Sequence, residues 1–440
     1  MADEIETAFE EHFYRTPIDP SDYDYAIMKE RDWYRDGDPV ADVIGEAAGI
    51  MPEPAEDIRT VLAERHFDWE LAKMGEENPF DEGAHYSEKG ADDAESQAGW
   101  LSFEQSLKTQ SRYFNRSAQE TLTYVFEGIA EHKTGDGHPI IVGAGPGMES
   151  TTFYRARVFQ SYKRLDDALT RPDKQVGPPP PHAAATGRMN AHGIAVFYGA
   201  TSPSIALAEV RPLVGSKVVV ARFELIRTLR LLDVEALRSV NVEGSIFDRD
   251  YIQRLKRAKF LEWLSRRITR PVMPDDEPFE YLATQAIADF LATDANPPLD
   301  GILYPSVQVS ESGFNVVLFH AAARVEPLKI LKGTEVSAVV VDTEDGTDYT
   351  VWEETPLEDT SGTSEPQNIP FVPNRLNALR PEDYDPREPA LRLDIATVEV
   401  HHVNRVKFET ECHSVTRLRC KKTPEDQEIG WDGLTLGGKP

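Results

Sequence analysis

A stretch in the middle of the chain combines cationic, aromatic and acidic side chains in a way that suits a binding or catalytic site. Arg155 and Arg157 alternate with apolar residues in FYRARVF, and Arg188 lies in the glycine-flanked segment GRMN. Tyr198 follows an apolar run, and Glu209 is the acid within the otherwise apolar run SIALAEV. Because burying an unpaired carboxylate is costly, such an acid is either paired with a cation or has a function.

Two arginines, an aromatic ring and a carboxylate suit an anionic substrate that contains a sugar and an aromatic base. Guanidinium groups hold pyrophosphate through paired hydrogen bonds, and the ring of Tyr198 stacks on the base. The carboxylate of Glu209 stabilises positive charge that develops on the sugar. A structural alternative is that Arg155 and Glu209 form an ion pair while Tyr198 is a core aromatic residue. The residue pattern by itself leaves both interpretations open.

Hydrophobic patterning predicts the elements that would position these residues. Ser202 is the expected N-cap of a helix that carries Glu209. Helices alternate irregularly with strands, so the predicted fold class is α+β. Strands are predicted at PIIVGAG, TTFYRARVF, IAVFYGA, KVVVARFEL, LRLLDV, GILYPSV and FNVVLFHAAARVEPLKIL, and helices at SPSIALAEVRPLV, SIFDRDYIQRLKRAKFLEWLSRRI and FEYLATQAIADFLAT.

The first third of the chain has a different character. Helices are predicted at DYDYAIMKERDWY and over residues 55–75 and 103–132, and residues 1–150 carry a net charge of −22 out of −29 for the whole chain. We therefore predict four segments. They are an acidic, mainly helical domain (1–137), an α+β domain (138–335), a loop-rich acidic insertion (336–390), and C-terminal strands that complete the α+β domain before a tail (391–440).

Five segments, in this order along the chain, resemble the RES domain family. They are FYRAR, GRMNAHGIAVFYGATSPSIALAEVR, YLATQAIADF, DGILYPSV and NVVLF, and they span about residues 150–325. The resemblance implies a fold similar to that of ADP-ribosyltransferases for the α+β domain. The helical region before it resembles the HEPN/RES N-terminal domain.

The resemblance also implies which residues form the site. The arginine, glutamate and serine that name the family fall on Arg155, Glu209 and Ser306, which implies that these three are catalytic. The family's second arginine is usually followed by tryptophan and asparagine, and here Met189 stands in place of that tryptophan. The implied substrate-binding residues are Arg188, Tyr198, Asn315 and Arg157, the last as a substitute for Arg155 if the register is shifted.

Many members of this family are bacterial toxins that destroy NAD+. The resemblance therefore implies a toxin that cleaves the nicotinamide–ribose bond with inorganic phosphate as acceptor, that is, an NAD+ phosphorylase. NAD+ is then a substrate, and no cofactor is expected. The alternatives are an NAD+ glycohydrolase, a mono-ADP-ribosyltransferase that modifies a macromolecule, and a non-catalytic interaction module. The implied partner is an Xre-type antitoxin or another neutralising protein, and the choice between monomer and homodimer stays open.

Charge and composition exclude other classes. A net charge of −29 disfavours nucleic acid and anionic membranes as partners. No apolar run reaches the roughly 18 residues that span a bilayer, and the acidic start is unlike a signal peptide, so we expect a cytoplasmic protein. Arg59 and His66 have the spacing of HEPN ribonucleases, but we interpret them as helix surface. No metal site is expected, because the spacing of the C-terminal candidates matches no closed zinc module: His401, His402, Cys412, His413 and Cys420.

Overall fold

The structure is a computed structural model in which residues 2–19, 35–90, 94–248, 250–306, 308, 313–343, 346–356, 385–407 and 410–417 are described. Met1–Val403 form one compact unit and Asn404–Pro440 a second. The helix predicted at DYDYAIMKERDWY lies outside the described residues. In the described part of the chain, no helix is both long and apolar enough to cross a membrane.

A small core of its own lies at the N-terminus. Its elements are α1 (Ala2–His12), β1 (Phe13–Arg15), β2 (Asp38–Pro39), α2 (Val40–Ala48), α3 (Pro52–Arg65), α4 (Trp69–Met74) and β3 (His85–Glu88). Phe9, Ile44 and Leu62 are buried in this core, and the strands pair in the order β1-β3-β2, a sheet that the sequence did not predict. The helix predicted over 55–75 is two helices, because the carboxylate of Asp68 caps α4 by accepting the Glu70 N–H at 2.7 Å.

The long helix predicted over 103–132 is also divided. It forms α5 (Ala94–Thr109) and α6 (Arg116–Phe126), followed by a short 3₁₀ turn. Phe114 between them has a left-handed φ of 56°, and Asn115 caps α6 by accepting the Ala118 N–H at 3.0 Å. A local capping interaction therefore ends the helical periodicity that the apolar residues suggested.

The rest of the unit is built on one large sheet. Its strands and helices are β4 (Ile141–Ala144), β5 (Thr152–Phe159), α7 (Tyr162–Thr170), α8 (Pro172–Gln175), β6 (Phe197–Ala200), α9 (Pro203–Glu209), β7 (Lys217–Leu225), β8 (Leu229–Asp233), α10 (Tyr251–Thr269), α11 (Glu277–Thr293), β9 (Gly301–Pro305), β10 (Phe314–Leu318), β13 (Leu391–Leu393) and β14 (Glu399–His402). The strand order is β13-β7-β5-β6-β10-β9-β8-β4, with β14 also paired to β7. Neighbouring strands are antiparallel except β8 and β9, which are parallel. The combination confirms the predicted α+β class.

Each face of the sheet packs against its own apolar core. A first core joins β6, β8, β9 and β10 to helices α5, α6, α10 and α11, and Trp100, Phe260 and Val317 lie in it. A second core, with Phe153 and Phe223, covers the opposite face. The predicted boundary at residue 137 therefore runs through the first core, because α5 and α6 pack with α10 and α11.

The segment predicted as a loop-rich insertion contains a hairpin. Strands β11 (Glu335–Thr343) and β12 (Gly346–Glu354) pair antiparallel along their whole length, from Glu335 opposite Glu354 to Thr343 opposite Gly346. Residues 357–384 of this segment lie outside the described part. The strand predicted to run on from FNVVLF ends at Leu318, where a 3₁₀ turn at His320–Ala322 follows. The C-terminal strands β13 and β14 pair with β7 of the main sheet.

Candidate active site

Three neighbouring strands form the floor of the candidate site. Asn315 on β10 lies opposite Ala200 on β6 and opposite Tyr304 on β9, while Val317 lies opposite Tyr198. Because side chains alternate between faces along a strand, Tyr198, Asn315 and Tyr304 all emerge on the face of the first core. Tyr198 and Tyr304 pack against the edge of that core with part of each side chain.

Helix α9 brings Glu209 to this floor. The helix begins at Ser202, whose hydroxyl accepts the Ile205 N–H at 3.3 Å, as the sequence predicted. Ile205 is buried against β5 and β7, whereas Glu209, the last residue of the helix, is exposed. Its Oε2 accepts a hydrogen bond from Asn315 Nδ2 at 3.2 Å. The carboxylate is thus oriented by an amide and remains open to solvent, and it makes no ion pair with Arg155.

Asn315 leaves one polar atom unused. The side chain is 2% exposed, and its Oδ1 is buried without a hydrogen-bond donor among the described residues. A buried acceptor without a donor costs about 1–3 kcal/mol. This oxygen is therefore an acceptor near the Glu209 carboxylate that no described donor satisfies.

The hydroxyl of Tyr198 holds the GRMN segment. It donates to Asn190 Oδ1 at 2.9 Å and accepts the Met189 N–H at 3.0 Å. A Cβ at Gly187 would come within 2.6 Å of both the Asn190 amide oxygen and the Tyr198 hydroxyl, so this close approach requires glycine. Burial raises the pKa of Tyr198 to about 12, which keeps the phenol protonated as a donor.

Arg188 projects from the same segment towards a cleft. Helix α11 secures the backbone, since Thr284 Oγ1 donates to the Arg188 carbonyl at 2.5 Å and Gln285 Nε2 donates to the Gly187 carbonyl at 2.8 Å. The guanidinium lies 5.5 Å from the centre of the Tyr281 ring and donates to the carbonyl of Ile268 at the end of α10. The cleft it lines has a volume of about 380 Å³ and also contains Arg267, Arg270, Glu104 and Glu280.

The other two predicted arginines lie on the opposite face of the sheet. Arg155 and Arg157 on β5 are in register with Ala221 and Val219, which belong to the second core. Arg155 reaches the site only through the backbone, because its Nη1 donates to the Tyr198 carbonyl at 2.8 Å and its Nε to the Val176 carbonyl at 2.7 Å.

The electrostatics of these arginines follow from the same placement. Burial and the neighbouring Arg157 lower the pKa of Arg155 to about 10, which leaves it a cation at neutral pH. Burial also lowers the pKa of Arg157, which donates to the carbonyl of Gln175. In this geometry Arg155 fixes the strand that carries Tyr198, and Arg157 fixes the end of α8.

A comparison with protein-family models now adds to this geometry. The RES domain model matches residues 152–339. The chain contains a RES domain. Comparisons with curated proteins and with solved structures gave no match. A RES domain indicates, in general terms, an enzyme that acts on NAD+.

All seven predicted site residues fall within the RES domain, and the structure groups them unequally. Glu209, Asn315 and Tyr198 share one face. Ser306 follows β9, and its N–H donates to the Gly313 carbonyl at 3.0 Å, so the pairing of β9 with β10 continues to this residue. Because side chains alternate along a strand, Ser306 is assigned to the same face as Tyr304. Arg188 lies beside this face, and Arg155 and Arg157 lie behind it.

Sequence reasoning missed one polar residue on the floor of the RES domain. Tyr304 is two residues before Ser306, and residues two apart on a strand face the same side. The predicted position of Ser306 could therefore have identified Tyr304. Burial raises the pKa of Tyr304, and the nearby Glu209 carboxylate raises it further. Thr284 and Gln285 were also missed, because nothing in a helical pattern marks a residue that secures a distant loop.

Three of the remaining candidates outside this cluster contact neighbouring side chains. Arg59 pairs with Glu56 at 2.6 Å, and His66 with Glu6 at 2.6 Å. His402 Nε2 lies 2.6 Å from the Tyr349 hydroxyl. Among the described residues no group of three or more His, Cys, Asp or Glu could hold a metal ion, and Cys420 lies outside them.

Proposed function

We propose that this protein is an NAD+-degrading enzyme that cleaves the nicotinamide–ribose bond by phosphorolysis. The observation that carries the proposal is the pair formed by Glu209 and Asn315 within the RES domain. There an exposed carboxylate is oriented by an amide, and the other polar atom of that amide, Oδ1, is buried and has no donor in the part of the chain that the structure describes.

The chemistry needs little from the protein besides electrostatics and position. Nicotinamide in NAD+ is already a cationic leaving group, so no general acid is required. The bond from the ring nitrogen to ribose breaks with its electron pair on nicotinamide, which leaves neutral, and a phosphate oxygen bonds to the same ribose carbon. Glu209 offsets the positive charge that develops on ribose during this exchange.

The neighbouring residues have roles that follow from their contacts. The Arg188 guanidinium, at the rim of its cleft, binds the pyrophosphate of NAD+ or the attacking phosphate. The ring of Tyr198 offers a surface for the nicotinamide while its hydroxyl keeps the GRMN segment in place. Ser306 donates a hydrogen bond to the substrate, and Arg155 acts as a positioning residue through the Tyr198 carbonyl.

The experiment is a nicotinamide-release assay on the full chain with NAD+, in the presence and absence of inorganic phosphate. We expect release that depends on phosphate and a product in which phosphate is joined to ADP-ribose. Glu209→Gln keeps the shape and removes the charge, and it should lower kcat by about 10²–10³. Glu388→Gln, at an exposed acid away from the floor, is the matched control and should be unaffected.

The outcomes separate the related activities. Release without phosphate and free ADP-ribose as product would indicate a glycohydrolase, and label retained on protein would indicate an ADP-ribosyltransferase. A Glu209→Gln variant with wild-type turnover would contradict the assignment of the site. No release from the wild-type chain would contradict the proposed function.

The proposed biological role is that of a growth-inhibiting toxin. Expression of the full chain in a bacterium should lower cellular NAD+ and arrest growth, and expression of the Glu209→Gln variant should do neither. Growth arrest at normal NAD+ would contradict this role. Such a toxin requires a neutralising protein, which we propose to be of the Xre type. Co-expression of that protein with the toxin should restore growth, and this tests the proposal.

A further inference from the structure

Tyr304 adds a phenol hydroxyl to the floor beside Asn315. The two residues lie directly opposite each other on β9 and β10. Directly opposed residues of antiparallel strands have Cβ atoms about 4.5–5.5 Å apart, so their side chains are neighbours on one face. The Tyr304 ring packs against the edge of the first core, which fixes the direction of its hydroxyl.

This hydroxyl is unused in the free protein. Among the described residues, none makes a hydrogen bond with Tyr304 Oη, and the residue is partly buried. Its raised pKa keeps it protonated, so it is available as a donor. On the opposed strand, the Oδ1 of Asn315 has no donor among the described residues. The floor thus presents one unused donor and one unused acceptor beside the carboxylate of Glu209.

We propose that Tyr304 is a further substrate-contacting residue, which donates a hydrogen bond to one ribose hydroxyl while Asn315 Oδ1 accepts one from its neighbour. The proposal rests on the proposed function, since it assigns the ribose of NAD+ to this part of the floor. Adjacent hydroxyls on one sugar ring offer an acceptor and a donor side by side, which matches the two free groups. Pairing of β9 with β10 fixes the backbones of the two residues relative to each other.

The competing interpretation is that Tyr304 is only a packing residue. Tyr304→Phe separates the two, because it keeps the ring and removes the hydroxyl. Since that hydroxyl has no described partner, neither interpretation expects the melting temperature to fall. Tyr113→Phe is the matched control, because Tyr113 is 81% exposed on the loop between α5 and α6, away from the floor.

The test compares nicotinamide release by wild type, Tyr304→Phe and Tyr113→Phe with NAD+ and with an NAD+ analogue lacking the 2′-hydroxyl on the nicotinamide ribose. We expect Tyr304→Phe to lose about tenfold in kcat/KM with NAD+, at an unchanged melting temperature. We also expect its preference for NAD+ over the deoxy analogue to shrink by a similar factor, an effect that a packing role would not produce. Tyr113→Phe should match wild type in both respects.

Failure of this inference can be told apart from failure of the proposed function. If wild type releases nicotinamide and Tyr304→Phe matches it with both substrates, the role of Tyr304 is overturned while the proposed function stands. If wild type releases none, calorimetric titration with ADP-ribose decides. Roughly tenfold weaker binding to Tyr304→Phe than to wild type would support the contact, and equal binding or no binding to either would overturn it.

Discussion

Replacing Tyr198 with phenylalanine tests the structural basis of the site in isolation from its chemistry. The hydroxyl makes two hydrogen bonds, one to Asn190 Oδ1 and one from the Met189 N–H. Asn190 is 4% exposed and Met189 3%, so water cannot easily replace the lost partner. We therefore expect the GRMN segment, which carries Arg188, to be destabilised.

The magnitude follows from the two groups left without partners. Each buried group that loses its partner costs about 1–3 kcal/mol, and partial relaxation of the segment reduces the sum, so we expect a loss of about 2–4 kcal/mol. In a compact unit of this size, Met1–Val403, that corresponds to a fall in melting temperature of roughly 2–5 °C. The effect should appear in the first core, against which Tyr198 packs.

Urea unfolding followed by tryptophan fluorescence measures this directly. Trp100 lies in the first core and Trp263 packs against it, so their emission reports on the region affected. Tyr304→Phe and Tyr113→Phe are the controls, because both remove a hydroxyl that has no described partner. A Tyr198→Phe variant that unfolds at the same urea concentration as these controls would refute the reasoning.

Two further predictions concern stability. A chain that begins at residue 138 lacks α5 and α6 and exposes the apolar residues of α10 and α11, so it should aggregate or bind a hydrophobic dye. A chain that begins at residue 91 keeps α5 and α6 and should stay soluble. Equal solubility and equally cooperative unfolding of the two chains would contradict the shared core. The Arg387 guanidinium lowers the pKa of Asp385 to about 2, from 3.8. Because the folded value is the lower one, this stabilisation is complete above about pH 4 and is lost as the pH falls towards 2. Urea unfolding should show the stability gap between wild type and Asp385→Asn narrowing over that range, and a constant gap would count against the pair.

The sequence was most informative where hydrophobic patterning is regular. Strands β4 to β10 and helices α9 to α11 were predicted because alternating or helically spaced apolar residues must face a core. Patterning failed where local capping decided the outcome, as at Asp68 and Asn115, which end one helical run and begin another. The hairpin β11–β12 was missed because its acidic residues, Glu335, Glu353 and Glu354 among them, gave the segment the composition of a loop.

The sequence predicted which residues belong to the candidate site better than it predicted how they are arranged. Side chains alternate between the two faces of a strand, so the sequence of β5 alone places Arg155 and Arg157 on the same face of the sheet as Phe153. Glu209 and Asn315 are 106 positions apart in the sequence. Their contact depends on the pairing of β6 with β10, which the sequence alone does not show. The attachment of Arg188 to α11 is also a contact between distant parts of the chain, which no local pattern encodes.

The measurement that tests the central claim most directly is nicotinamide release from NAD+ by the full chain, with and without inorganic phosphate, for wild type and Glu209→Gln. We predict release that requires phosphate in the wild type and a loss of about 10²–10³ in the variant. No release by the wild type, or equal release by the two proteins, would contradict the account.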